Sequence, residues 1–203
     1  MRGMNTSLLP FFAPARQPSA RADPIGLGDG RHVTLSPVNP LDASAERAFV
    51  GALSLTSRYR RFHFGLRELS PEASRAMTEI DQHHHVAFVA RPGDDEDAPI
   101  VADARYVMRA DSADAEFAIA VADEWQGAGL GRALLMHLSA HARRRGVRRL
   151  FGDVLWGNPA MLALVRSLGA QLHRNPGDST VVRVEFVFSE NAADRVPCAS
   201  AGA

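Results

Sequence analysis

Three glycines at alternate positions, Gly127-Ala128-Gly129-Leu130-Gly131, stand between a stretch that alternates like a β-strand and one with helical periodicity. Upstream, Ala115 to Val121 places Phe117, Ile119 and Val121 on one face and Glu116, Ala118 and Ala120 on the other. Downstream, Gly129 to Arg145 carries Leu130, Leu134, Leu135, Leu138 and Ala142 at helical spacing and stops at Gly146. Glycines admit positive φ and close backbone approach, and the helix start adds unpaired N–H groups and the positive end of its dipole. Together these predict a cradle for phosphate or pyrophosphate. It is no Walker A loop, because Gly-Lys-Ser/Thr is missing. A dinucleotide fingerprint spaces its glycines differently and opens a first βαβ unit, whereas this loop follows an antiparallel meander. A glycine turn that merely caps a helix is the plainer alternative. The entering strand, the long helix and a second strand–helix unit with Asn158 at its junction all weigh against it.

The remaining punctuation outlines one α/β domain. His32 to Ser36 reads as a strand and Pro40 to Leu53 as a helix; Ser70-Pro71-Glu72 caps another helix running to about Ile80. Strands over 85–91, 100–108 and 115–121 form a meander, with Gly93 to Asp97 as a solvated hairpin loop. Strand 149–155, helix 159–168, and strands 170–173 and 181–188 complete the unit. Residues 1–30, rich in Pro, Ala, Ser and Gly, read as a flexible arm, 31–189 as the domain, and 190–203 as a tail.

Composition excludes several classes. The 23 basic residues balance 23 acidic ones, which argues against blanket binding of nucleic acid. The single cysteine, Cys198, rules out an internal disulfide or a cysteine-rich metal site. No apolar run approaches the roughly 20 residues that cross a bilayer. The sequence contains no lysine, so every basic residue is arginine; GC-rich coding is the simplest cause.

Gln126-x-x-Gly129-x-Gly131 resembles the acyl-CoA pyrophosphate loop of the GNAT N-acetyltransferase superfamily. Trp156-Gly157-Asn158-Pro159-Ala160-Met161 followed by Leu168-Gly169-Ala170 is similar to that family's second CoA-side segment. Ser57-Arg58-Tyr59-Arg60-Arg61-Phe62, Ala115-Glu116-Phe117-Ala118 and Trp125-Gln126-Gly127 resemble the acetyltransferase domain of bacterial protein-lysine acetyltransferases. The resemblance implies a GNAT fold, a central mixed, mostly antiparallel sheet of about seven strands flanked by about four helices. It implies acetyl-CoA as cosubstrate. Gln126, Gly127, Ala128, Gly129, Leu130 and Gly131 would hold its pyrophosphate, and Arg132 would lie beside the phosphates. Val121 would pair with the pantetheine amides, and Asn158 would lie near the thioester. The acceptor implied is a protein lysine; a small-molecule amine, or a non-catalytic acyl-CoA-binding module, stays open. The enzyme implied is cytoplasmic, metal-free, monomeric or homodimeric, with neither nucleic acid nor membrane as partner.

Acetyl transfer to an amine needs a base, because an alkyl ammonium with a pKa of about 10.4 is mostly protonated at neutral pH. Glu116, an acid on a strand face otherwise made of alanines, is the leading candidate and matches the proposed general base of the resembled enzymes. Asp153 is second, and Asp123 and Glu124, close to an anion cradle, are expected to face water. Many GNAT enzymes carry a tyrosine as general acid three residues before the Leu-Gly pair; here that position is Val165. His83-His84-His85 cannot easily converge on one ion, since neighbours along a strand point to opposite sides. Arg143-Arg144-Arg145 and Arg148-Arg149 read as a helix terminus favoured by the dipole, or as a contact for the CoA 3′-phosphate or an acidic surface. Arg58, Arg60 and Arg61 read as a substrate-selecting segment or a solvated turn around Phe62.

Overall fold

The computed structural model describes residues 23–175 and 177–188. The expected arm up to residue 22 and the tail from 190 lie outside them. Eight strands form one mixed sheet: β1 (Asp23–Gly26), β2 (His32–Pro37), β3 (His85–Pro92), β4 (Ala102–Met108), β5 (Asp114–Val121), β6 (Arg149–Leu155), β7 (Gln171–Arg174) and β8 (Val181–Val187). Their spatial order is β1-β2-β3-β4-β5-β6-β8-β7. β1 lies within the segment read as an arm, where four residues that include Pro24 and Gly26 give no periodic signal, and pairs along its whole length with β2.

Five α-helices flank the sheet: α1 (Ala43–Ala52), α2 (Leu55–Phe62), α3 (Pro71–Thr78), α4 (Leu130–Arg144) and α5 (Pro159–Ser167). α2 is the helix the sequence reading leaves as a segment after α1. Leu53 turns extended at ψ 143°, and the Ser54 hydroxyl then accepts the Ser57 N–H to open a new helix.

α4 and α5 cover one face. Leu130, Leu134, Leu135, Leu138 and Ala142, the predicted apolar stripe, are all buried with Tyr106, Leu150 and Val184. On the other face Phe49, Val50 and Leu53 of the α1 segment pack on Ala87 and Val89. Beneath α1 lies a buried ionic cluster. Arg105 joins Asp103 at 2.5 Å and Glu46 at 3.3 Å, and Arg91 joins Asp42 at 2.7 Å.

The strand pairing that shapes the molecule is β5 with β6. Both have full partners on their outer sides, β4 and β8. Towards each other they pair, in parallel, only over Asp114–Glu116 and Arg149–Phe151. Gly152 marks the last close approach: a Cβ there would stand 3.0 Å from the Phe117 carbonyl oxygen and ring. From that point the two strands diverge and open a wedge in the middle of the sheet.

Candidate active site

The wedge is a cleft of about 570 Å³. β5 from Glu116 to Val121 forms one lip, and Asp153, Val154 and the start of α5 form the other. The glycine loop closes one end, and Ser57, Arg60, Arg61, Phe62 and His63 of the α2 segment wall the opposite face. Alternation along β5 decides what each lip offers. Ala122 donates its N–H to Val101 on the β4 side, so the backbone groups of Ile119 and Val121 turn towards β6, where no strand meets them.

The loop has the shape its glycines imply. Gly127 sits at φ 79° and Gly129, the residue before α4, at φ 94°, and a Cβ on either would meet nothing within 4 Å. None of the N–H groups from Gly127 to Gly131 reaches a protein carbonyl among the described residues, so several donors converge on open space. Those free donors and the α4 dipole suit an anion. The loop is firmly held from behind. Trp125 is buried in the core beneath the Arg31 guanidinium, 4.1 Å from its ring, and Gly28 donates its N–H to the Ala128 carbonyl at 3.0 Å.

Of the residues expected at the cofactor site, Val121, Gln126, Gly127, Gly129, Gly131, Arg132 and Asn158 all line the cleft. Ala128 turns its carbonyl to Gly28, and the Leu130 side chain is buried in the core, so these two can contribute only through their N–H groups. Arg132 is anchored across the cleft mouth by a bond from Nη2 to the Ser167 hydroxyl on α5. Asn158 caps α5, its Oδ1 accepting the Met161 N–H.

The two candidate bases are separated by their partners. Asp153 is held from both oxygens by Arg183, at 2.6 and 3.0 Å. Glu116 is exposed to the cleft and forms no hydrogen bond or close ion pair among the described residues, although its charge also acts on the Arg183 guanidinium. Val165 does not reach the cleft at all; it is fully buried against the sheet. α5 presents Ala160, Met161 and Leu164 instead, and none of these can carry a proton.

Asp123 does not simply face water. Its Oδ2 accepts the Ser54 N–H at 2.9 Å, and its Oδ1 accepts the hydroxyls of Ser54 and Ser57 at 2.8 and 2.7 Å. Partial burial alone would raise its pKa, but these hydrogen bonds outweigh it and hold the carboxyl below the ordinary value. Ser57, which lines the cleft, enters the sequence reading only as the first residue of the resembling segment 57–62, and His63, which also lines it, carries no functional signal there.

The arginines divide by location. Arg143 to Arg145 lie at the far end of the 15-residue α4, ~21 Å along its axis from the loop at 1.5 Å per residue, so they are not beside the cradle. Arg149 lies on β6, bonded to Asp114 and Glu185. Arg60 donates to the Gly157 carbonyl across the cleft mouth, and Arg61 reaches inward to Asp103 at 3.6 Å.

Residues 52–170 match the model of the acetyltransferase (GNAT) family. An acetyltransferase of Pseudomonas aeruginosa is 36% identical over 77% of this chain and 84% of its own length. The acetyltransferase Pat of Mycolicibacterium smegmatis is 34% identical over 72% of this chain, which spans only 44% of Pat. Among solved structures, the GNAT domain of S. lividans PAT superposes with a TM-score of 0.74 at 29% identity, covering 82% of this chain and 97% of that one.

Proposed function

Since the chain belongs to the GNAT family of acetyl-CoA-dependent N-acetyltransferases, we propose that it acetylates a protein lysine by direct attack in a ternary complex, with Glu116 as general base. The observation that carries this reading is the join of three parts along one strand. β5 carries Glu116, which has no hydrogen-bond partner among the described residues, continues as a lip that no neighbouring strand meets, and runs into a glycine cradle.

The residues fit acetyl-CoA in order along the cleft. N–H groups from Gln126 to Gly131 hold the pyrophosphate, with Arg132 alongside. The Ile119 backbone and the Val121 N–H pair with the pantetheine amides as an added strand would, while the Val121 carbonyl is taken by the Gln126 side chain. Asn158 lies near the thioester, which supplies an activated acetyl group. Glu116 takes the ammonium proton, directly or through one water, and leaves the amine neutral for attack. The C–N bond forms as the C–S bond breaks, and the amide nitrogen then releases its remaining extra proton to water. With no proton carrier among the α5 side chains that line the cleft, the departing thiolate takes its proton from water, which its moderate basicity allows.

The protein-lysine acceptor is supported by the segments around Arg58, Glu116 and Gln126 that resemble bacterial protein-lysine acetyltransferases. A chain with no lysine is itself spared side-chain acetylation. Acetyl-CoA as cosubstrate also favours a cytoplasmic location, and among the described residues no helix is long and apolar enough to cross a membrane.

A thiol-release assay with acetyl-CoA tests the reading, run against lysine peptides, peptides with only an α-amine, and a panel of small amines. Turnover on lysine peptides is expected. Turnover confined to small amines would overturn the acceptor, and CoA binding without turnover on any amine would overturn the enzyme.

A further inference from the structure

Beside Glu116 lies an exposed charged patch that the transfer chemistry leaves unused. Strand register fixes its membership. Asp114 and Glu116 of β5 stand opposite Arg149 and Phe151 of β6, which in turn face Val187 and Glu185 of β8. Two residues further along, Asp153 faces Arg183. Alternate residues share a face, so all of these side chains stand on the Glu116 side of the sheet. Phe151 is 1% exposed, yet it belongs to neither apolar core. The guanidiniums of Arg109, Arg149 and Arg183 cover its ring instead, at 4.7, 5.7 and 4.9 Å. Arg109 directly follows β4, so it reaches across β5 to a ring that is the cross-strand neighbour of Glu116.

Matching the charges leaves two groups over. Arg149 bonds Asp114 at 2.5 Å and Glu185 at 3.4 Å, and Arg183 bonds both oxygens of Asp153. Glu116 and Arg109 are exposed, and neither forms a hydrogen bond or close ion pair among the described residues. Arg109 touches the Phe151 ring and acts on Asp114 through space. One anion and one cation left over on the same face are the complement of a ligand that carries an ammonium and a carboxylate close together. The ammonium is that of the acceptor lysine at Glu116. An extended acceptor chain advances ~3.3 Å per residue, and strands lie ~4.8 Å apart, so a guanidinium one strand away meets the side chain one or two positions from the lysine. The stack on Phe151 holds that guanidinium in place and leaves its N–H groups to a carboxylate.

We propose that Arg109 determines acceptor specificity by binding an Asp or Glu that stands one or two positions from the lysine to be acetylated. The inference rests on the reading of Glu116 as base and of a protein lysine as acceptor.

Thiol release from acetyl-CoA by the full chain tests it, at low ionic strength, on blocked single-lysine peptides that differ only in Glu, Gln or Arg beside the lysine. In the wild type, kcat/KM should be about three- to fivefold higher with Glu than with Gln, the scale of an exposed ion pair, and the difference should lie in KM. Arg109→Met keeps an apolar cover on Phe151 and should bring that ratio to about one. Arg109→Glu should reverse the preference towards the Arg peptide; if circular dichroism shows it unfolded, Arg109→Met decides. A merely structural role for Arg109 would slow every peptide alike and leave the ratio as it is. Equal values for the Glu and Gln peptides in the wild type, or an undiminished ratio in a folded variant, overturn the inference and leave the lysine reading standing. Turnover on none of these peptides overturns that reading first, and this inference with it.

Discussion

Asp153 and Arg183 meet edge to edge across β6 and β8, with Oδ1 2.6 Å from Nε and Oδ2 3.0 Å from Nη2. Arg183 also lies over the Phe151 ring at 4.9 Å, so the pair is fixed in place on the open face of the sheet. Both oxygens of Asp153 are thus engaged, whereas Glu116, the proposed base on the facing lip, has no hydrogen-bond partner among the described residues. Glu116→Gln should therefore lower kcat by about 10²–10⁴-fold, the range for a general base, with CoA affinity unchanged. Asp153→Asn should lower it far less. Stopped-time thiol release with isothermal titration of CoA distinguishes them; equal losses in the two variants would remove Glu116 from its role.

The cradle can be tested by separating strain from charge. Gly129 holds φ 94°, a conformation that costs an L-residue about 1–2 kcal/mol. Gly129→Ala carries that strain alone, while Gly129→Glu adds a negative side chain at the proposed pyrophosphate site. CoA affinity should fall modestly in the first and by at least about tenfold more in the second, since 1.4 kcal/mol is already a factor of ten. Equal affinities would place the phosphates elsewhere.

These two sites were legible in sequence because their signals are local. Alternation around Glu116 and glycines beside a helical period are read within one window of residues. What stayed hidden depends on distant partners. The fate of Asp123 is set by serines 66 to 69 residues away, and that of Asp153 by a strand whose register nothing in the sequence fixes. α2 escaped although Leu55, Tyr59 and Phe62 stand at the helical spacing i, i+4 and i+7, because a two-turn segment offers only these three apolar positions among its arginines. Val165, at the position where many GNAT enzymes carry a tyrosine, is turned into the core by α5, which shows Met161 and Leu164 to the cleft.

Gly152 sets where the wedge begins. A methyl group there would stand 3.0 Å from the Phe117 carbonyl oxygen, which is backbone and cannot swing aside. Gly152→Ala should destabilise the domain by about 1–3 kcal/mol, the usual cost of overpacking. Because Phe117 adjoins Glu116, kcat should fall as well. Thermal melting and turnover measured together check both; an unchanged melting temperature would mean that β5 and β6 part freely at this point.

Glu46 gives the fold a pH dependence of definite sign. It is fully buried under α1, Arg105 reaches only its Oε1, and Oε2 has no hydrogen-bond partner. Burial first, then the negative charge of Asp103, raises its pKa to about 8, against the opposing pull of Arg105 and Arg61 and with a further push from Asp42. The unfolded chain releases this proton near the ordinary value of 4.5, whereas the folded chain keeps it. Between those values the folded state binds the extra proton, so the contribution is complete below about 4.5 and is lost as pH rises through about 8. Glu46→Gln keeps the shape and removes the titration. Its melting temperature should fall less than that of the wild type from pH 5 to pH 8, by several degrees, as about 1 kcal/mol is worth ~2–4 °C in a domain of this size. Parallel profiles would show that Glu46 is ionised in the folded protein across the whole range.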